Sequence, residues 1–166
     1  MILVAGCSYC DQYHNDYPLW PYLLNREVLN IARSGYSNQQ IYESVINFII
    51  NDYILPSNTS FSKFDQYSNQ NTVELCILSW TEWHREGTCD DISKQTNSST
   101  LSDERILELV DISLQSIDKT NKLLQVNDIP VVSVQMLPPL RSKIIKNNKD
   151  KLIDKINKYD DLFIGY

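Results

Sequence analysis

The sequence predicts an α/β protein with a central parallel sheet of about five strands, and three observations predict it. Short runs rich in aliphatic and β-branched residues recur at 2–5, 28–31, 73–78, 131–135 and 162–164. Segments whose apolar residues repeat at helical spacing lie between them. The two kinds of segment alternate along the chain. That alternation is the mark of βαβ units, whose parallel strands are covered on both faces and therefore read as unbroken apolar runs.

Each element has its own justification. The first run, Ile2-Leu3-Val4-Ala5, ends on Gly6, which lets the chain bend sharply. A weak helical segment over 16–25 is interrupted by Pro18 and Pro21. After the second strand, residues 38–52 place Ile41, Val45, Phe48 and Ile49 on one stripe. The third strand is Val73 to Leu78. Residues 103–126 then form the strongest helix. Ser102 is its N-cap, Asp103 and Glu104 complement the dipole in its first turn, and Ile106, Leu109, Val110, Leu114, Ile117 and Leu124 give its apolar face. The fourth strand is 131–135, a weaker helix spans 141–158, and Leu162-Phe163-Ile164 is the fifth strand. Two polar stretches, 54–72 and 86–102, read as loops.

A chain of 166 residues with 42% hydrophobic and 22% charged residues suits one soluble domain. No apolar run has the roughly 18 residues a membrane span needs, and no basic n-region precedes Ile2. A cytoplasmic protein with no membrane partner is expected. The net charge of −6 hides a basic stretch, with seven Lys and Arg side chains from Arg141 to Lys158. They alternate with Ile144, Ile145, Leu152, Ile153 and Ile156, as on a solvated amphipathic helix, so a nucleic-acid partner is not expected. The four cysteines, at 7, 10, 76 and 89, do not make a disulfide scaffold in a protein of this size and compartment. His14 and His84 lack metal-ligand spacing, so neither metal nor cofactor is expected.

The chemistry concentrates at strand ends. Gly6-Cys7-Ser8-Tyr9-Cys10 follows the first strand, Asn30-Ile31-Ala32-Arg33-Ser34-Gly35-Tyr36-Ser37-Asn38 the second, and Ser79-Trp80-Thr81-Glu82-Trp83-His84 the third. In open parallel sheets ligands sit outside the carboxyl ends of the strands, so these turns can share one crevice. The first turn admits three readings. It is a structural turn with Ser8 as a cap; a thiol–disulfide site on Cys7 and Cys10, in the manner of glutaredoxins; or a nucleophilic serine at the sheet edge. Gly35 suits a helix-entry turn as well as an oxyanion donor. Asn38 suits the cap of a helix over 39–52 as well as a ligand contact. Trp80 and Trp83 suit either a sugar-lined cleft or the core.

The set resembles the SGNH (GDSL-like) hydrolases, and most closely the divergent SGNH-like proteins of tailed phages. The resemblance covers most of the chain in element order and is specific at two of four motifs: Gly6-Cys7-Ser8, and Asn30 with Gly35. It implies a three-layer flavodoxin-like fold and a serine esterase or O-deacylase acting on a small ester or an acylated glycan. In that reading Ser8 is the nucleophile, Gly35 gives an oxyanion-hole N–H, and Asn38, Trp80 and Trp83 contact substrate. The family's Gly-x-Asn motif is replaced by Ser79-Trp80-Thr81, which leaves Thr81 as the substitute donor. The Asp-x-x-His that supplies the base is not found. His84 is its stand-in, with His14 a weaker candidate. The resemblance therefore implies a missing C-terminal segment and a chain catalytically incomplete over 1–166. The competing class is a phage virion or accessory protein that uses the fold as a structural or glycan-binding module and self-associates or joins other virion proteins. Such a protein would reside in the host cytoplasm or the virion.

Overall fold

The computed structural model describes residues 1–7, 10, 20–54, 72–86, 101–135, 140 and 142–162. Four strands form one sheet: β1 (Ile2–Gly6), β2 (Val28–Asn30), β3 (Leu75–Trp80) and β4 (Val131–Gln135). Their order is β2-β1-β3-β4 and every pairing is parallel. The α/β expectation holds, as a four-stranded parallel sheet flanked by helices. Of the expected fifth strand, Leu162 closes a 3-10 segment over Asn157–Leu162, and residues 163 and 164 lie outside the described residues.

Pleating explains the all-apolar first strand. Leu3 and Ala5 of β1 join Cys76, Leu78 and Trp80 of β3 in the larger core. Ile2 and Val4 point the other way, into a smaller cluster with Ile77, Ala32 and Cys10, against which Trp20 packs. A central parallel strand is apolar at every position because both its faces are covered.

Helix α1 (Asn38–Asn47) and helix α2 (Asp103–Val126) cover the larger face. Helix α2 begins and is capped as the sequence predicts: Ser102 Oγ accepts from the Arg105 N–H at 3.2 Å. Its buried stripe contains Ile106, Leu109, Val110, Leu114, Ile117 and Leu124. Helix α1 starts at Asn38, as expected of the segment 38–52, but differs in its cap and at its far end. Its cap is Ser37, one residue before Asn38, in a capping box with Gln40. Past Asn47 the chain widens into a π-helical stretch, Phe48–Ile54, which keeps Phe48 and Ile49 in the core. Helix α3 (Ser142–Ile156) is kinked at Asn148 and buries Ile144 and Leu152. Its Lys155 pairs with Asp111 of α2 at 3.5 Å. Of the weak segment over 16–25, a short 3-10 turn at Trp20–Leu24 is described.

The crossovers explain why two faces are filled from different parts of the chain. The chain moves from β1 to β2 in one direction. It then returns over β1 to β3 and continues to β4 in the other. With right-handed connections, opposite directions of travel put the connecting segments on opposite faces. The Trp20 turn accordingly packs in the smaller cluster, and α1 and α2 share the larger one. No helix among the described residues is long and apolar enough to cross a membrane.

Candidate functional site

The strand order fixes where a ligand would sit. The chain leaves β1 toward β2 on one side and leaves β3 toward β4 on the other, so the carboxyl ends of β1 and β3 flank the topological switch point of the sheet. Gly6 and Ser79 are register partners there.

Gly6 is needed at this place for a reason different from the expected bend. Its backbone is not in the left-handed region; space is what it saves. A Cβ at Gly6 would stand 2.7 Å from Ser79 Cβ, 3.0 Å from the Ser79 carbonyl oxygen and 3.2 Å from Cys10 Sγ. Real side chains do not approach so closely, so glycine allows the two central strands to close together at the crevice.

Direct hydrogen bonds join the three turns. The Arg33 N–H, past β2, donates to the Gly6 carbonyl at 3.1 Å. The Asn30 Nδ2 donates to the Cys10 carbonyl at 2.5 Å, while Asn30 Oδ1 accepts from the Ala32 N–H at 3.0 Å. The Cys10 N–H donates to the Cys7 carbonyl at 3.0 Å. Ser8 itself lies outside the described residues, as does His14. Asn30 is thus more than a motif letter: its amide ties the end of β2 to the turn after β1.

Gly35 sits at the third position of a turn closed by the Tyr36 N–H on the Arg33 carbonyl at 3.3 Å. Its φ of 84° is the left-handed value that glycine tolerates and other residues resist. The turn delivers the chain to Ser37 and α1.

Asn38 is fully buried, and its amide is spent on the protein itself. Oδ1 accepts from the Thr81 N–H at 2.9 Å, and Nδ2 donates to the Thr81 carbonyl at 3.3 Å. Gln135, the last residue of β4, adds Nε2–H to the same carbonyl at 2.9 Å. Thr81 is therefore gripped from α1 and from β4. This clamp is what the sequence alone does not show, because its partners are far apart in the chain. The one signal for it is a polar, non-capping Asn directly behind a Ser that can cap.

With its N–H committed to Asn38, Thr81 retains its hydroxyl as a donor. The Thr81 Oγ1 and Ser79 Oγ atoms are buried and have no hydrogen-bond partner among the described residues. Trp80 and Trp83 are in the larger core, 2% and 5% exposed. The Trp80 indole N–H donates to Ser133 Oγ at 3.4 Å, and the Trp83 carbonyl accepts from Ser113 Oγ at 2.6 Å. These packing roles leave neither indole as an open stacking surface. His84, in the same turn, is also buried, 3% exposed.

Cys7 and Cys10 are not in disulfides and have no exposed surface. Thiol exchange needs an accessible thiolate, so burial favours packing for both. Burial also pushes the Cys76 thiol up to about 12, which keeps it neutral at any physiological pH. Cys89 lies outside the described residues. Among the described residues no group of His, Cys, Asp and Glu could hold a metal ion.

Compared with models of protein families and with curated proteins, the sequence matches none.

Proposed function

We propose that this chain is a serine hydrolase of the SGNH type, an esterase or O-deacylase of small esters or acylated glycans, with Ser8 as nucleophile. The observation that carries this reading is the bonded meeting of three strand-end turns at the switch point of the sheet. In this reading an acyl carbonyl attacked by Ser8 develops an oxyanion, which the Gly35 N–H and the Thr81 hydroxyl stabilise. Such donors matter because they are already in place when charge appears; losing one typically costs about 10²–10³ in rate. Serine also needs a base to take its proton, and His84 is the described candidate.

A second reading keeps the fold without the chemistry, as a glycan-binding or structural module. The burial of His84 favours it, because a base must reach the nucleophile's proton.

Labelling with a fluorophosphonate probe tests the hydrolase reading. The chain is expected to be labelled at Ser8. Ser8→Ala abolishes labelling, and Cys7→Ser with Cys10→Ser preserves it. Labelling needs only one slow, irreversible attack per chain, so it is compatible with turnover of p-nitrophenyl acetate by residues 1–166 no faster than by the Ser8→Ala control, the result expected for a site with a poor base. Absence of labelling on a folded chain sinks the serine-nucleophile reading. Brisk turnover lost on His84→Ala makes His84 the base.

We also infer the finer architecture, five strands in a three-layer flavodoxin-like arrangement. Helix α3 buries Ile144 and Leu152 in the same core as α2. A right-handed crossover through that layer carries the chain past β4 rather than back over it. Val131 and Val132 of β4 are 37% and 46% exposed, an apolar edge of the kind proteins usually cover. In this reading residues 162–164 supply the cover, with Leu162 leaving the 3-10 turn that it closes here. Hydrogen exchange checks this: the outer-edge amides of β4 should exchange about as slowly as those of β3, and deleting residues 163–166 should release them. Fast exchange in the full chain overturns the fifth strand.

A further inference from the structure

Besides the strand-end crevice, the described residues form a second place with the makings of a binding site. A cavity of about 370 Å³ lies between α1, α2 and the turn after β3. That is within the size range of small-ligand sites, at its lower end. Ser37, two residues past Gly35, is on its wall, so the cavity adjoins the second strand-end turn.

Its lining is charged but balanced. Two carboxylates, Glu43 and Glu86, face two guanidinium groups, Arg85 and Arg105. Arg105 is committed, because it pairs with Glu86 and, at 2.6 Å, with Glu108. Arg85 is different. Its side chain is 20% exposed, and its only ion pair among the described residues is a long one, 3.9 Å to Glu82. A guanidinium carries five N–H donors, so most of this one's capacity is unused among the described residues. Glu43, also on the lining, accepts one hydrogen bond at Oε1, 3.0 Å from Gln39 Nε2, and keeps further acceptor capacity. Leu109 adds an apolar wall.

The cavity thus offers spare donors on Arg85 and spare acceptors on Glu43, with no net charge. An anion would meet the Glu43 carboxylate, and a cation would meet Arg85. A hydroxyl both accepts from Arg85 and donates to Glu43, and adjacent hydroxyls match planar, two-pronged groups such as guanidinium, carboxylate and amide. The C–H surface of a sugar ring suits Leu109. We propose that this cavity binds a neutral polyhydroxylated ligand, a saccharide, held by Arg85, Glu43 and Gln39. Binding here does not depend on the role of Ser8, and serves the hydrolase and the glycan-binding module alike.

An NMR titration of the full chain tests it, following the side-chain N–H signals of Gln39 and Arg85. The probes are N-acetylglucosamine and maltose as neutral saccharides, glucuronate as an anionic one, and inorganic phosphate. The neutral saccharides are expected to shift both signals saturably and to bind more tightly than glucuronate or phosphate. Glu43→Ala, at an exposed position on α1, and Arg85→Ala should each weaken binding about tenfold, the effect of losing one hydrogen bond to a charged group. If Arg85→Ala fails to fold, Glu43→Ala alone decides. Three results overturn the proposal: no shift with either neutral saccharide, tighter binding of glucuronate or phosphate, or unchanged affinity in Glu43→Ala. Probe labelling of Ser8 is a separate readout, so the failure of either idea leaves the other standing.

Discussion

Gly6→Ala is expected to lower the melting temperature by roughly 5–10 °C, as an overpacking cost of about 2–3 kcal/mol in a chain of this size. The change adds one methyl group to a residue whose backbone any amino acid could adopt, so conformational strain contributes nothing. The cost comes from the 2.7 Å approach to Ser79 Cβ and the 3.0 Å approach to the Ser79 carbonyl. The carbonyl belongs to the sheet and cannot swing away, so β1 and β3 must part at the switch point. A double-mutant cycle isolates this cause. Ser79→Gly removes the nearest atom, so it should recover part of the loss from Gly6→Ala while being destabilising or neutral on its own. Thermal melts of the four proteins check it. Strict additivity would show that the methyl group is accommodated elsewhere.

Asn38→Ala is expected to cost about 2–3 kcal/mol, chiefly because the buried Thr81 N–H loses its acceptor. The Thr81 carbonyl suffers less, since Gln135 still donates to it. The Asp variant gives the sharper test. Asn38→Asp keeps an acceptor for the Thr81 N–H but sets a buried carboxylate against the Thr81 carbonyl. Burial and that carbonyl both favour the protonated acid, which can donate as the amide did, so the folded-state pKa rises above the unfolded one. A raised pKa stabilises below the unfolded value and loses that stability as pH rises. Asn38→Asp should therefore become more stable, relative to the native chain, as pH falls from about 8 to about 5. Denaturation midpoints across that range check the sign. A gap between the two proteins that stays constant with pH would mean that the carboxylate has found another partner or has reached solvent.

What could be read from the sequence was set by local chemistry. Ser102 with Asp103 and Glu104 announces the start of α2, and the 3.6-residue repeat from Ile106 to Leu124 carries it through. The strand runs are equally local, with β4 at its expected bounds and β3 shifted two residues onward. The grouping of the three turns followed from topology, because parallel strands must end on the same side. The pairwise fit inside the site was not legible. Gly6 suggests a bend until Ser79 is seen beside it. Asn38 suggests a cap until Thr81 is seen to occupy its amide, and Ser37 beside it takes the cap. Gln135 carried no signal, since a glutamine ending an edge strand is ordinary. In each case the deciding neighbour is distant in the chain, and one sequence does not reveal such pairs.

The strand order also sets when the crevice can come into being. Residues 2–6 are the first of the sheet to be synthesised, but they pair with residues 75–79. Until β3 leaves the ribosome, β1 can bond only with the three residues of β2, and half of its backbone has no partner in the sheet. Closing so long a loop is an entropic cost incurred before the contacts that repay it, and it slows folding. The nascent chain must carry this apolar strand unpaired on one side until residues 75–79 have been made. Ile2–Ala5 is thus the segment most exposed to wrong pairing until Leu75–Trp80 arrives.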